Sequence, residues 1–384
     1  MISSYLDTPP IFCIMNPHFL RGEMERYRSW LALRRVTGVG NVLYRRLLDK
    51  FKTPDAVFIA GEEALLTVEG VSLQTAQNIC SFAGFDQVDL EIEKSAELGI
   101  TLLSLHDPDY PPLLAAIYDP PPVLYVKGDP RAPYPYPIAV VGSRQPSHYG
   151  KTVAERLGRE LAEQGMTIVS GFARGIDAIA HQAALAVEGR TIAVLGCGID
   201  IIYPPEQRAL FEEIVEQGLI LSEFPIGTPP EGQNFPQRNR VISGLSLGCL
   251  VVEATLESGS LITARCALEQ GREVFSVPGS ILSETSTGTH QLIRSGAKLV
   301  ERVDDVLEEL LPQMRRSPKE SAFSPPSLQG DEKKLYDLLT FEPKHIDQLI
   351  QESALSTSAV SGLLLALELR GAARQLTGKF YVRI

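Results

Sequence analysis

Six short runs between Ile138 and Gly279 decide the fold: IAVVGS (Ile138–Ser143), TIVSG (Thr167–Gly171), TIAVLGCG (Thr191–Gly198), LILSE (Leu219–Glu223), CLVVEA (Cys249–Ala254) and EVFSVPG (Glu273–Gly279). Each is almost continuously apolar. Between them lie segments with helical spacing near Gly150–Gln164, Asp177–Val187, Glu206–Gln217, Arg240–Leu245 and Ser260–Gln270. Apolar strands that alternate with helices belong to a parallel sheet covered on both faces, so the sequence predicts a doubly wound α/β domain. Most of the runs end in Gly or Ser, at the carboxyl edge where open α/β sheets bind ligands.

The flanks read differently. Residues 24–99 have helical periodicity with Gly-containing breaks at Thr37–Gly40 and Glu69–Ser72, which predicts a small helical domain. Its segment VTGVGNVLYRRLL (Val36–Leu48) sets a Gly-x-Gly turn before a helix, as in helix-hairpin-helix modules. Two readings stay open there: a phosphate site with Arg45 and Arg46 downstream, or a helix corner whose glycines serve only the turn. Pro-rich stretches at Pro108–Pro112, Pro120–Pro122 and Pro130–Pro137 precede the central strands, and Pro312–Gly330 reads as a linker. After it come three helical stretches and two short strands around Thr377–Gly378, the order of a winged helix. The expected domains are 1–100, 101–311 and 331–384, with the linker at 312–330.

Composition bounds the function. The chain has 384 residues, 44% hydrophobic and 22% charged, enough for two or three folded units. No apolar stretch reaches bilayer length and no basic cluster leads the N-terminus, so a cytoplasmic protein is expected. Cys13, Cys80, Cys197, Cys249 and Cys266 are irregularly spaced and without clustered His, which predicts buried structural thiols and neither disulfide nor metal site. With 36 Lys and Arg against 47 Asp and Glu, the net charge of −11 excludes general adhesion to polyanions, so any nucleic-acid site must be local.

Such a site is suggested by the strand ends. VGSR (Val141–Arg144), SGFARGID (Ser170–Asp177) and EATLESGSLITA (Glu253–Ala264) place Gly142, Gly171, Gly175 and Gly259, with Ser143, Ser170, Ser258 and Ser260, where a phosphate could meet free amides. FPQRNR (Phe235–Arg240), read as lying ahead of a helix, adds Arg238 and Arg240 to Arg144 and Arg174. A small basic pocket is expected. Neither a complete dinucleotide fingerprint nor a G-x-x-x-x-G-K-[ST] loop is present. Ser258, Ser260 and Thr263 have no readable His–Asp partner, His181 reads as a helix-packing residue, and Glu253 is the best carboxylate for any hydrolysis. Phe235, Tyr203 and Tyr149 stand in loops near the same edge, and aromatic faces interleaved with Arg suit a single strand. An alternative is an enzyme on a nucleotide or phosphoribosyl ligand, because ESGSLIT loosely resembles the phosphate loop of cytokinin-activating phosphoribohydrolases. A third is an interaction scaffold built on the helical and winged modules.

From Tyr110 to Val300 the motifs YPPLLAAIYDPPPVLYVKG, VGSRQPSHYG, SGFARGIDAIAHQAAL, NFPQRNRVISGLS and VVEATLESGSLITARCALEQGREVFSVPGS occur in one order. The sequence closely resembles the DNA-processing protein A family, also called DprA or Smf. The resemblance implies a SAM-like or helix-hairpin-helix N-terminal domain, an extended Rossmann-like domain and a winged helix. It implies single-stranded DNA binding in transformation and recombination, handover of the strand to the RecA recombinase, dimerisation through the Rossmann-like domain, and neither enzymatic activity nor a cofactor. Strand-binding positions carry over to Gly142, Ser143 and Arg144, to Ser170, Gly171, Arg174 and Gly175, to Phe235, Arg238, Asn239 and Arg240, and to Ser258, Gly259 and Ser260. The winged helix carries 7 basic and 7 acidic side chains over 328–384 and no basic residue in SAVSGLLLALEL, which favours protein contact over base readout.

Overall fold

The structure is a computed structural model describing residues 25–314, 330–340, 344–353, 355–369, 372–376 and 378–383. Cys13 and the 315–329 portion of the expected linker lie outside the described residues. The chain divides into two compact units, Met1–Pro312 and Gln313–Ile384.

The larger unit opens with six helices: α1 Arg28–Arg35, α2 Asn41–Phe51, α3 Pro54–Ile59, α4 Glu62–Leu66, α5 Leu73–Cys80 and α6 Phe85–Glu97. Thr53 and Ser72 cap α3 and α5 through their side-chain oxygens. The sheet strands are β1 Thr101–Ser104, β2 Val123–Gly128, β3 Ile138–Val141, β4 Ile168–Ser170, β5 Thr191–Leu195, β6 Leu219–Ser222, β7 Gly248–Val251, β8 Glu273–Ser276 and β9 Lys298–Leu299. The helices among and after them are α7 Pro112–Ala115, α8 His148–Glu163, α9 Ile176–Leu185, α10 Arg208–Gln217, α11 Asn234–Gly244, α12 Gly259–Glu269, α13 Thr287–Arg294 and α14 Val303–Met314.

All six expected strands are present, and their sheet runs β1-β2-β6-β5-β4-β3-β7-β8-β9. Strands β3 to β9 pair in parallel, whereas β1 and β2 add an antiparallel edge. That edge is hidden in the sequence because it falls among the prolines read only as punctuation. Pleating divides each strand between two cores. Ala193 and Leu195 of β5 face Leu210, Phe211 and Ile214 of α10 and are continuous with Trp30, Tyr44 and Leu47 of the helical layer. Ile192 and Val194 face the opposite way, with Val241 and Ile242 of α11 and Ala264 and Ala267 of α12. The helical layer is tied to the sheet by polar contacts as well. Arg35 pairs with Glu91, which accepts the Tyr125 hydroxyl, and Arg45 donates to the Ile117 carbonyl at 2.7 Å. Arg46 is held by Glu69, so both arginines of the Gly-x-Gly segment serve the structure.

The sheet order reverses direction between β3 and β7: from β3 the chain winds outward through β4, β5 and β6, then returns to β7 on the other side of β3. The crevice outside the carboxyl ends of these two strands is the topological switch point, where ligands of open α/β sheets sit. Among the described residues no single helix is long and apolar enough to cross a membrane.

The smaller unit has α15 Gly330–Leu338, β10 Lys344–His345, α16 Ile346–Ser353, α17 Thr357–Leu369, β11 Ala373–Leu376 and β12 Phe380–Arg383, with a three-stranded sheet ordered β10-β12-β11. Leu335, Leu349, Val360, Leu364 and Leu367 form its own core. This is the expected winged helix, with β10 added.

His181 is fully buried, its Nδ1 2.6 Å from the Thr191 hydroxyl and its ring beside Phe172. Burial first, and then the Arg238 charge, push its pKa down to about 3. The folded state therefore holds His181 neutral while the unfolded chain takes up a proton below about pH 6.5, so its contribution to stability is present above that pH and fades toward pH 3. Thermal unfolding of His181→Phe should show a smaller fall in midpoint between pH 7 and pH 5 than wild type; equal slopes would contradict this assignment.

Candidate nucleic-acid interface

The crevice at the switch point is a cleft of about 480 Å³. One wall is the loop after β3, with Gly142, Ser143 and Arg144; the opposite wall is the loop after β7 and the start of α12, with Thr255, Ser258, Gly259, Ser260 and Thr263; Phe235, Pro236, Arg238 and Asn239 of α11 complete it. A narrower pocket continues past Phe235, lined by Gly171, Arg174, Tyr203 and again Arg144.

Phe235 is the divider between the two. Its ring packs over Gly196, where a Cβ would lie only 2.8 Å from Cδ1. The Arg144 guanidinium lies 5.3 Å from the ring centroid and that of Arg238 5.8 Å, while the Tyr203 ring is 6.0 Å away at 38°. The aromatic and the cation are thus assembled as the sequence suggested, but on a helix. α11 begins at Asn234 rather than at Arg240, because Pro236 sits in the first turn, where its missing N–H costs nothing.

That extra turn sorts the arginines. Residues two apart on a helix point to roughly opposite sides, so Arg238 and Arg240 do not share a face. Arg238 is 4% exposed and donates to the Gly171 and Val194 carbonyls at the ends of β4 and β5. Burial brings its pKa down to about 10, against the opposing pull of Asp177. Arg240 turns away toward Glu223 and Asp119, pairs with both, and donates to the Asp119 carbonyl at 2.7 Å. The expectation that four guanidinium groups converge is therefore corrected: Arg240 stands outside the cleft. Arg174 is exposed beside the narrower pocket and bonded to Glu206. Arg144 alone of the four is exposed without an ion pair among the described residues.

Several other expected positions also have a packing role. Ser170 is buried and donates to the Val140 carbonyl at 2.7 Å. A Cβ on Gly142 would meet Ile176 at 2.7 Å, one on Gly171 would meet Asp177 and Arg238, and one on Gly175 would strike the Ser143 carbonyl. At those three positions the space a side chain would take is filled by protein atoms. Gly259 differs, since nothing lies within 4 Å of its Cβ position. Tyr149 lies apart from Phe235, donating to the Pro278 carbonyl beside a separate hollow. Glu253 is 2% exposed and accepts from Ser147 N at 2.8 Å and from the Ser147 and Thr285 hydroxyls at 2.7 and 2.6 Å. With its oxygens committed to joining three loops, it lacks the freedom a hydrolytic base needs. Thr263, noted in the sequence only for lacking a triad partner, does line the cleft.

A family model described as DNA recombination-mediator protein A matches residues 101–311. Protein Smf of Synechocystis is 38% identical over 390 residues, covering 92% of this chain and 98% of the relative. The chain belongs to the DprA/Smf family of DNA recombination mediators. Further models, a SAM-like helix-hairpin-helix tandem and the DprA winged helix domain, match 31–84 and 319–379. DprA of Bacillus subtilis is 46% identical over 215 residues, covering 56% of this chain and 72% of its own. Among solved structures, DprA of Streptococcus pneumoniae matches with a TM-score of 0.65 and 36% identity, over 73% of this chain and 97% of that one. DprA from Helicobacter pylori, described for its single-stranded DNA binding mode, matches with a TM-score of 0.51 and 34% identity, over 56% and 96%.

Removing Arg240 takes from the buried Glu223 carboxylate its largest opposing charge, with Arg34 and the Asn41 hydrogen bond remaining. Arg240→Ala should lower stability by about 3–5 kcal/mol in urea unfolding; a loss below about 1 kcal/mol, as for an exposed pair, would contradict the placement.

Proposed function

We propose that this DprA/Smf protein binds single-stranded DNA along the cleft at the switch point and hands the strand to the RecA recombinase during transformation and recombination, as a cytoplasmic homodimer joined through its Rossmann-like domain and without catalytic activity of its own. The observation that carries the reading is Phe235, flanked by the unpaired Arg144 and followed by Tyr203. An aromatic face beside a free guanidinium holds a base by stacking and its neighbouring phosphate by charge, with no demand on sequence. The Helicobacter pylori relative, described by its single-stranded DNA binding, supports the partner class. Handover to RecA, the dimer and the functional limits 1–100, 101–311, 312–330 and 331–384 rest on the family resemblance.

The strand-contacting set drawn from the sequence narrows on this geometry. Gly142, Ser143, Arg144, Phe235, Asn239, Ser258, Gly259 and Ser260 form the contact surface, Gly171 and Arg174 border its continuation, and Arg238 and Gly175 hold its walls. Ser170 and Arg240 are left with structural roles. Tyr203 joins the path.

Binding of the full chain to a poly-dT oligonucleotide decides the matter. Arg144→Ala and Phe235→Ala should each weaken it about 5- to 100-fold, given about 1–3 kcal/mol per stacked base, whereas Arg240→Ala, assayed well below its unfolding midpoint, should bind as wild type. Unchanged affinity in the first two variants removes the reading. A RecA filament-assembly assay on the same oligonucleotide tests the handover, with acceleration by wild type and loss of it in Arg144→Ala.

A further inference from the structure

Two groups on one wall of the cleft have no purpose in the fold. Thr263 is 2% exposed, yet its hydroxyl takes no hydrogen bond within the chain among the described residues and opens onto the cleft. A hydroxyl placed in so little solvent without a partner costs stability, and valine would fill the same volume without that cost. Gly259 is the second. Its φ is not positive and open space surrounds its Cβ position, so neither backbone nor packing calls for glycine there. Gly142, Gly171 and Gly175, by contrast, all have such reasons.

Both belong to the amino end of α12, an eleven-residue helix that starts at Gly259. Ser258 is its cap, with an oxygen that reaches Ser260 N at only 3.4 Å while pairing with the Ser260 hydroxyl at 2.7 Å. The Gly259 N–H therefore remains among the orphan donors of the first turn, and it carries part of the helix's positive end. Asn239 donates to the Gly259 carbonyl at 3.2 Å and fixes this turn against α11. A backbone donor, a hydroxyl donor and the free Arg144 guanidinium share the cleft, which is the donor set an oxyanion with several acceptor oxygens needs.

We propose that the amino end of α12 is a phosphate seat, in which the Gly259 N–H and the Thr263 hydroxyl donate to one phosphate group while Arg144 offsets its charge. The inference deepens the strand-binding reading and rests on it: the phosphate belongs to the nucleotide whose base lies on Phe235, as an interior diester or as a strand's terminal phosphate. Glycine at 259 admits the phosphate to the backbone, and threonine at 263 supplies a donor from the second turn.

Conservative replacements remove each donor while sparing the helix. Thr263→Val keeps the shape and loses the hydroxyl. Gly259→Pro removes the N–H at the first helical position, where proline is favoured, and Ser258 before it already has the extended ψ of 134° that proline requires. In fluorescence-anisotropy titrations of the full chain with a poly-dT oligonucleotide, each should weaken binding about 10- to 100-fold, as expected for a hydrogen bond to a charged group. The unfolding midpoint should stay at or above that of wild type, and Thr263→Ser should restore wild-type affinity. Oligonucleotides with and without a 5′ phosphate distinguish the two sources: equal affinity assigns the seat to an interior diester, and a loss confined to the 5′-hydroxyl strand assigns it to the end. Folded Thr263→Val and Gly259→Pro proteins that bind as tightly as a wild type that does bind overturn the seat and leave strand binding standing. A wild type that binds no strand removes both.

Discussion

The cleft depends on one buried charge. Arg238 reaches back from α11 to the ends of β4 and β5, donating to the Gly171 and Val194 carbonyls and through Nε to Asn239 at 3.2 Å. Asp177, at the start of α9, accepts from Gly171 N and Ala173 N at 3.1 and 3.3 Å and supplies the opposing charge. Burial drives the Asp177 pKa up and that of Arg238 down, and each is resisted by the other's charge. A buried guanidinium is tolerable only with its donors satisfied, and carbonyls at strand ends satisfy them in fixed positions. The result is positional. α11 is fixed to the sheet at the point where Phe235 must stand over Gly196, and Asn239 is fixed where it can hold the first turn of α12.

This arrangement explains which parts were legible in the sequence. Six of the seven parallel strands, β3 to β8, declare themselves because burial on both faces demands continuous apolar runs, a pattern that survives without knowledge of neighbours, whereas the two-residue β9 is too short to show it. β1 and β2 are less visible: β2 joins the sheet through β6, far along the chain, and the prolines between β1 and β2 outweigh the short apolar segments. The α11 boundary is missed for a related reason, since Pro236 reads as a stop but is compatible with a first turn. That one displacement has a chemical consequence, because once Arg238 and Arg240 are two helical positions apart only one can face the cleft.

Residue type also predicts the site better than residue role. Gly142, Gly171 and Gly175 stand at the binding edge, as expected, but the atoms filling the space beside them belong to Ile176, Arg238 and the Ser143–Arg144 backbone. A glycine signals that something approaches the backbone, and sequence alone does not say whether that is ligand or protein. Glu253 is similar. A lone carboxylate at a strand end looks reactive in the sequence, yet here it joins Ser147 to Thr285, and a Cβ on Gly150 would collide with it.

These placements bear on how a protein of net charge −11 would hold a polyanion. Arg240 and Arg174 are neutralised by carboxylates and Arg238 is spent on carbonyls, so Arg144 is the one member of the set free to replace a phosphate's counterions. Salt dependence of strand binding scales with the number of phosphates neutralised, at roughly −0.7 per phosphate on a single strand. On the proposed reading, few free cations imply a shallow dependence at this cleft, and stacking on Phe235 and Tyr203 with neutral amide and hydroxyl donors would supply the larger share of the binding. Acidic character elsewhere then becomes compatible with the function. Repulsion from a distant carboxylate is screened beyond about 8–10 Å at ordinary ionic strength, and stacking of a neutral base on an aromatic ring does not itself draw on charge.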